Sequence, residues 1–283
     1  MTLHFETLDE IISLAIKEDI GIGDVTTLAC IDSLTKGNGA IVAKSEGILC
    51  GIDTAMRVFH LIDENVRFSK LKRDGARIKK GEKLANVKGR MHSLLAAERT
   101  ALNFLQRMSG IATLTTQYVE LTKGTRAVIL DTRKTAPLMR EFDKYAVRTG
   151  GGKNHRMGLF DMILIKDNHI AAVGGVAQAL RRCAEFRVTR ATKKIPVEIE
   201  TTSLDQVKEV LSIGGIDRIM LDNFTIEGIR NAVKLAAHKV PLEVSGGVAL
   251  KTVRAIAKTG VEFISVGELT HSPRALDISF EIM

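Results

Sequence analysis

Six short apolar runs in the second half of the chain constrain its fold more than any other feature. They read AVILD, MILIK, VEIE, RIMLD, LEVS and FISVG, and they begin at residues 127, 162, 197, 218, 242 and 263. The last four are separated by about twenty residues, roughly the length of one helix with two loops. Runs that stay apolar instead of alternating are typical of parallel strands covered on both faces. The pattern therefore predicts repeated βα units around a parallel sheet.

Each run ends in a polar or glycine-rich cluster. A single charged residue after a strand is usually a helix cap, but six strands ending this way favour a shared site. Enzymes built on α/β barrels carry their active site at the carboxyl ends of the strands. We therefore predict an α/β barrel whose rim is formed by 131–134, 166–169, Glu200, 222–223, 245–247 and Gly267.

The first part of the chain has a different character. Residues 8–18 have apolar side chains at helical spacing, and 40–90 contain short alternating runs broken by glycines. Helical patterning returns over 92–122, where Ser109-Gly110 predicts a break between two helices. This part predicts an α+β unit.

Length and composition indicate a globular protein with an aliphatic core. The 283 residues suit one large or two modest domains, hydrophobic residues make up 45%, and aromatic residues only 4%. The net charge of +8 keeps a basic nucleic-acid-binding module open as an alternative. Single-strand binders use stacking aromatics, which this chain lacks in number, and its cations gather at strand ends, so we expect no nucleic-acid partner.

The cysteines and the N-terminus indicate a reducing compartment. Cys30, Cys50 and Cys183 are far apart and form no metal-binding spacing. The acidic, amphipathic N-terminus lacks the basic start of a secretory signal, and no apolar stretch reaches membrane-spanning length. We expect a cytoplasmic protein without a membrane partner.

Cations and carboxylates divide the predicted rim between them. The early strand ends carry cations, the later ones carry two carboxylates, Glu200 and Asp222, and the last two carry glycines. Glycines let backbone N–H groups approach a phosphate closely, whereas paired guanidinium groups suit planar carboxylates. The rim therefore predicts a phosphate at one side and a second anion at the other, the cations being Arg133, Lys134, His155, Arg156 and Lys166.

The stretch GGGKNHRMG at 150–158 first suggests a phosphate loop. It lies between the first and second predicted barrel strands, whereas barrels place phosphates after their last strands. Its glycines are better interpreted as backbone freedom that brings His155 and Arg156 over the barrel mouth. With Arg133 they would form a carboxylate clamp.

Several motifs resemble the quinolinate phosphoribosyltransferase family. They are EDIGIGDVTT at 18–27, DTRKTAP at 131–137, KYAVRTGGGKNHRMGLFDMILIKDNHI at 144–170, VSGGVAL at 244–250 and ISVGELTHSPRALDIS at 264–279. The resemblance implies an incomplete, six- to seven-stranded α/β barrel and an N-terminal α+β sandwich domain. It suggests domains at 1–110 and 111–270, with 271–283 returning to the first.

The family's activity implies what this chain would do. It would transfer phosphoribosyl from phosphoribosyl pyrophosphate to quinolinate with Mg²⁺, releasing pyrophosphate and CO2 and giving nicotinate mononucleotide for NAD synthesis. The family is dimeric, so a homodimer or a dimer-based oligomer is expected. A related phosphoribosyltransferase acting on nicotinate or another acid without decarboxylation remains the alternative.

The resemblance also assigns roles to individual residues. Quinolinate would contact Arg133, Lys134, His155, Arg156 and Lys166, with Arg99 supplied by the partner subunit. Phosphoribosyl pyrophosphate would contact Lys166, Glu200, Asp222, Ser245, Gly246, Gly247, Gly267 and His271. Lys134, Lys166, Glu200 and Asp222 would be catalytic, and the two carboxylates would hold the metal directly or through water.

Two positions depart from the family pattern, and one choice stays open. Leu138 stands where glycine is common, and Glu268 stands where a small residue is usual. Glu198 and Glu200 alternate along a predicted strand and so point the same way. Spacing alone does not decide which of them faces the ribose.

Overall fold

The computed structural model describes residues 5–188 and 193–283. The chain divides into two compact units. The first is formed by 1–116, 136–151 and 272–283, and the second by 117–135 and 152–271. The sequence-based domains at 1–110, 111–270 and 271–283 stay a prediction, since they treat 136–151 as part of the barrel domain.

The first unit is built on a four-stranded antiparallel sheet. Its order is β12-β1-β5-β3, with β1 at Lys36–Ala43, β3 at Arg67–Lys70, β5 at Lys83–Arg90 and β12 at Ile278–Ile282. Strands β2 (Gly47–Ile48) and β4 (Arg77–Ile78) form a small separate ladder. Helices α1 (Phe5–Ile20), α2 (Val25–Cys30), α3 (Ile52–Ile62) and α5 (Arg140–Thr149) complete this α+β unit with most of α4 (Met91–Thr122). The C-terminal strand thus pairs with the first strand of the chain.

Helix α4 corrects the predicted break at Ser109-Gly110. The helix runs unbroken from Met91 to Thr122. Ser109 is buried, its hydroxyl donating to the carbonyl oxygen of Cys50 while the Cys50 N–H donates back. A Cβ on Gly110 would lie 2.0 Å from the carbonyl oxygen of Arg274. The glycine therefore serves close packing of backbones, a tertiary demand that local sequence does not reveal.

The second unit contains the predicted parallel sheet. Its strands are β6 (Val128–Leu130), β7 (Ile163–Ile165), β8 (Val197–Thr201), β9 (Arg218–Asp222), β10 (Leu242–Ser245) and β11 (Phe263–Ser265). Every neighbouring pair is parallel, in the order β6-β11-β10-β9-β8-β7. The first strand pairs with the last, which is the order of a barrel left open between β6 and β7. The predicted strands and the incomplete barrel are confirmed.

Helices follow the strands of this unit. They are α6 (Asp167–Val173), α7 (Val176–Phe186), α8 (Leu204–Ile213), α9 (Ile226–Ala236), α10 (Leu250–Ala257) and the short α11 (Glu268–His271). Ser203 and Thr225 cap α8 and α9 by accepting backbone N–H bonds. Within the described ranges, all helices fall short of the length and apolarity needed to cross a membrane.

Candidate active site

Asp131, directly after β6, fixes the start of the GGGKNHRMG segment. Its buried carboxylate accepts hydrogen bonds from the His155 backbone N–H, at 2.9 Å, and from the Asn154 side chain. Lys153 forms an isolated parallel bridge with Leu130, so the segment runs beside the open edge of β6. A positive φ of 91° at Gly151 fits the backbone freedom predicted for this turn. His155 and Arg156 are thereby held at the end of β6.

The His155 ring is engaged on both nitrogens. Its Nδ1 accepts from the Arg156 backbone N–H at 2.7 Å, and its Nε2 lies 2.9 Å from Glu198 Oε2. An Nδ1 that accepts implies that the ring proton is on Nε2 and is donated to Glu198. Direct binding of a substrate carboxylate by His155 stays a prediction. The contacts seen in the structure instead make His155 a support for Arg156.

Glu198 and Glu243 form a buried cluster with Arg218 and His155. Both carboxyl side chains are 0% exposed, and Arg218 Nη1 lies 2.7 Å from Glu243 and 4.0 Å from Glu198. Burial raises the pKa of both carboxyl groups to about 7. A ring nitrogen of His155 and carboxylate oxygens of Glu198 and Glu243 are spaced as metal ligands could be, but the Arg218 guanidinium already supplies the positive charge. We assign the cluster to internal support of the site.

Sequence reasoning missed Glu243 and Arg218. A signal was present, because a glutamate within the apolar runs VEIE and LEVS predicts a charge that needs a buried partner. The partner comes from the start of β9, which pairs with Glu198 in the sheet register. Only the register between β8 and β9 identifies Arg218 as that partner.

Arg156 and Arg133 form the predicted pair of cations. Arg156 is 9% exposed, and its Nη1 donates to the Met162 carbonyl oxygen at 3.2 Å. Burial lowers the pKa of Arg156, and the positive charge of Arg133 lowers it further. Two guanidinium groups close together in a partly dry site disfavour each other until an anion binds between them. This arrangement suits a planar acid.

Lys166 and Glu200 meet across β7 and β8. Lys166 Nζ lies 2.7 Å from Glu200 Oε2, with the lysine side chain 46% exposed and the glutamate 10%. Glu200 lies two residues after the fully buried Glu198 in β8, on the same side of the strand. Of the two glutamates, Glu200 is therefore the one accessible to a ligand, whereas Glu198 is committed to His155.

The loop after β11 brings Lys134, Gly267 and His271 together. A Cβ on Gly267 would lie 3.1 Å from His271 Cδ2 and 3.4 Å from Lys134 Cδ. Thr270 connects the segments, since its hydroxyl donates to the Lys134 carbonyl oxygen at 2.8 Å. The side chains of Lys134 and His271 thus lie against Gly267, and a larger residue there would have to displace the His271 ring.

The end of β10 is joined to the end of β9. Ser245 is the register partner of Asp222, and the Asn223 N–H donates to the Ser245 carbonyl oxygen at 2.9 Å. A Cβ on Gly246 would lie 2.2 Å from Asn223 Oδ1, and Gly246 and Gly247 have φ of 89° and 60°. Glycine is required at Gly246 by both space and conformation.

The donor chemistry fits a magnesium ion at this rim. Asp222 is half-buried at the end of β9, and carboxylate oxygens are hard ligands of the kind that Mg²⁺ prefers. Glu200 already pairs with Lys166, so a water-mediated contribution suits it better than direct ligation.

Three further positions have clear placements. Arg99 is exposed on α4 and belongs to the first unit, whereas all the other predicted site residues belong to the second. The Lys166 N–H donates to His169 Nδ1, so His169 caps α6. Leu138 has φ of 63°, a left-handed conformation that costs a non-glycine residue about 1–2 kcal/mol.

Comparison with known proteins identifies close relatives along nearly the whole chain. Residues 24–109 match the quinolinate phosphoribosyl transferase N-terminal domain, and 111–281 match its C-terminal domain. The chain is 43% identical to a chloroplastic nicotinate-nucleotide pyrophosphorylase [carboxylating] of Arabidopsis thaliana, covering 97% of this chain and 82% of the relative. It is 42% identical to a probable enzyme of the same name from Bacillus subtilis, covering 94% and 90%.

Solved structures agree with these matches. The crystal structure of NadC from Streptococcus pyogenes superposes with a TM-score of 0.94 at 38% identity, covering 100% of this chain and 99% of that one. The nicotinate-nucleotide pyrophosphorylase from Francisella tularensis gives 0.93 at 39% identity, covering 100% and 98%. Both the sequence matches and the superpositions extend over the two units, and the chain therefore belongs to the quinolinate phosphoribosyl transferase family.

Proposed function

We infer that this protein is a decarboxylating quinolinate phosphoribosyltransferase of NAD biosynthesis. The observation that carries the inference is that Arg133 lies close enough to Arg156 to lower its pKa, in a unit that also holds the Lys166–Glu200 ion pair and in a chain whose relatives bear that activity. Two guanidinium groups match a diacid better than a monoacid. This favours quinolinate over nicotinate as substrate.

We propose that the cations divide their work between two anions. Arg133 and Arg156 grip the quinolinate carboxylates, and His155 holds Arg156 in place through its backbone. Lys134 and Lys166 lower the energy of the anionic groups around them. Arg99, exposed on α4, completes the site from the partner subunit of a homodimer or a dimer-based oligomer.

The opposite side of the rim would hold phosphoribosyl pyrophosphate. Ser245, Gly246, Gly247 and Gly267 offer backbone N–H groups to phosphate, with Lys134 and His271 beside Gly267. Glu200 and Asp222 lie where ribose hydroxyls would be bound. A magnesium ion held by these carboxylates, directly or through water, would neutralise negative charge on the pyrophosphate.

The mechanism follows from these placements. The quinolinate nitrogen forms a bond to the anomeric carbon, and the bond from that carbon to pyrophosphate breaks with its electron pair. Glu200 and Asp222 stabilise the positive charge that develops on the sugar. The adjacent carboxylate then leaves as CO2, its electron pair stays beside the positive ring nitrogen, and a proton replaces it. Positioning and charge supply the catalysis.

A paired substrate assay tests the function. The purified protein is incubated with magnesium, phosphoribosyl pyrophosphate and either quinolinate or nicotinate, and CO2 and nucleotide are measured. We expect turnover of quinolinate with CO2 release. Turnover of nicotinate alone would establish the alternative, and salt-sensitive RNA binding without turnover of either acid would favour the nucleic-acid module.

A cytoplasmic location is also proposed. Cys30, Cys50 and Cys183 are free thiols, and Cys30 is exposed. Exposed free thiols persist in reducing compartments. Fractionation of cells producing the protein would test this.

A further inference from the structure

Tyr118 is a buried phenol whose hydroxyl joins two helix starts in the second unit. It is 0% exposed, and its Oη donates to Glu268 Oε2 at 2.5 Å. The Leu250 backbone N–H lies near the Tyr118 hydroxyl. Leu250 begins α10, after the Ser245–Gly247 turn, and Glu268 begins α11, directly after Gly267. Tyr118 is thus hydrogen-bonded to the residue after Gly267 and lies near the start of the helix that follows the Ser245–Gly247 turn.

The position of Glu268 makes this contact consequential. Its neighbour Gly267 faces His271 and Lys134, where a Cβ would already be crowded. Consecutive Cα atoms are 3.8 Å apart, so a glutamate at 268 has the reach to place its carboxylate beside anything bound at Gly267. In the structure the carboxylate is directed to Tyr118 instead. The direction of the Glu268 side chain therefore decides whether a negative charge faces a ligand bound at Gly267.

We propose that Tyr118 is a positioning residue that holds the Glu268 carboxylate away from the phosphate of phosphoribosyl pyrophosphate. The proposal rests on the proposed function, since it concerns the affinity of that substrate's site. The phenol satisfies the carboxylate with a hydrogen bond, and complete burial of Tyr118 holds the phenol in place. The pair lets an acidic residue occupy this place without repelling the anionic substrate.

The first test separates charge from packing by a double-mutant cycle. Tyr118→Phe removes only the hydroxyl, and we expect the KM for phosphoribosyl pyrophosphate to rise about tenfold from charge repulsion. The KM for quinolinate and kcat should change less than about twofold, because a single charge acts mainly on groups close to it. Glu268→Ala alone should leave the KM near the wild-type value, and adding it to Tyr118→Phe should restore that value.

A second variant covers the case in which Tyr118→Phe does not fold. Glu268→Asp keeps the charge and leaves Tyr118 intact, but its carboxylate is one methylene too short for the bond. It should raise the same KM, whereas Glu268→Gln should not. Calorimetric binding of phosphoribosyl pyrophosphate, in buffer containing magnesium, gives a readout that needs no turnover.

A matched control comes from the first unit. Tyr145 also donates its hydroxyl to a carboxylate, Asp74 Oδ2, at 2.9 Å, and both residues belong to the first unit, whereas the glycine-bearing strand ends belong to the second. Tyr145→Phe should leave both KM values unchanged. An unchanged KM in both Tyr118→Phe and Glu268→Asp, or a raised KM that Glu268→Ala does not restore, overturns the proposal. Failure of the wild-type protein to convert quinolinate would instead overturn the proposed function.

Discussion

At the scale of single residues, the candidate site depends on charges that support one another. His155 illustrates this, because its two ring nitrogens connect Arg156 to the buried Glu198. The type of residue was evident from the sequence, since DTRK at 131–134 and NHR at 154–156 together predict a carboxylate clamp. The direction of the ring was not, because Glu198 is 43 residues away in the chain and meets His155 only through the barrel.

The first prediction at this scale concerns Arg156. Arg156→Ala removes one guanidinium of the pair, and we expect quinolinate binding to weaken by about 2–3 kcal/mol, the range for a charged hydrogen bond. Phosphoribosyl pyrophosphate binding should weaken far less. Calorimetry with each substrate measures both, and an equal loss for the two substrates would contradict the division of the rim.

The second concerns the pH dependence of stability through Glu243. Its pKa and that of Glu198 are raised by burial to about 7 in the folded protein, so folding favours their protonated forms. The contribution of the two carboxyl groups to the free energy of unfolding is therefore fully present below their unfolded pKa and is lost as pH rises through about 7. Arg218, Arg156, His155 and Ser265 each lower the pKa of one or both carboxyl groups and so limit this loss of stability, whereas the charge of Glu200 raises the pKa of Glu198 and adds to it.

Glu243→Gln provides the measurement. The neutral amide keeps the shape without a titrating group, so the free energy of unfolding should fall less steeply between pH 5 and pH 8 than in the wild type. The difference should be on the order of 2 kcal/mol, from the linkage between pKa and stability. Arg218→Met serves as the contrast, because it leaves a buried negative charge and should steepen the fall. Parallel stability curves for Glu243→Gln and wild type would rule out this account.

At the scale of elements, strands were easier to predict than helix ends. The six barrel strands follow from continuous apolar runs, since parallel strands buried on both faces tolerate few polar side chains. Helix α4 was harder, because Gly110 resembles a helix break in sequence. Its backbone instead contacts the carbonyl of Arg274, 164 residues later, and no local pattern records that contact.

Gly110→Ala tests this interpretation. Ala has the better intrinsic helix propensity by about 1 kcal/mol, so a purely local view predicts stabilisation. We expect destabilisation of roughly 2–3 kcal/mol instead, since the added methyl would displace backbone. Denaturant unfolding measures the change. Gly228→Ala in α9 is the control: its nearest atoms, at 3.1 and 3.3 Å, belong to side chains, and its effect should be smaller.

At the scale of the whole molecule, one predicted site residue belongs to a different unit from the rest. Arg99 is exposed on the first unit, while the rim belongs to the second. We therefore expect mixed dimers to recover activity when an Arg99→Ala subunit joins an Arg156→Ala subunit. One of the two sites would then contain both arginines. Activity of the purified mixed dimer measures recovery, and its absence in confirmed mixed dimers would argue against sharing.

The sequence by itself determined the fold class, the barrel strands, the family and the residue types of the rim. These follow from local patterns, because periodicity, glycine turns and contiguous motifs are properties of neighbouring residues. Only the tertiary structure decided that Glu198 supports His155 while Glu200 faces the rim, that Arg218 neutralises the buried glutamates, and that Tyr118 holds Glu268. Those contacts join residues from 20 to 150 positions apart. Strand register and burial set them, and a linear pattern does not encode either.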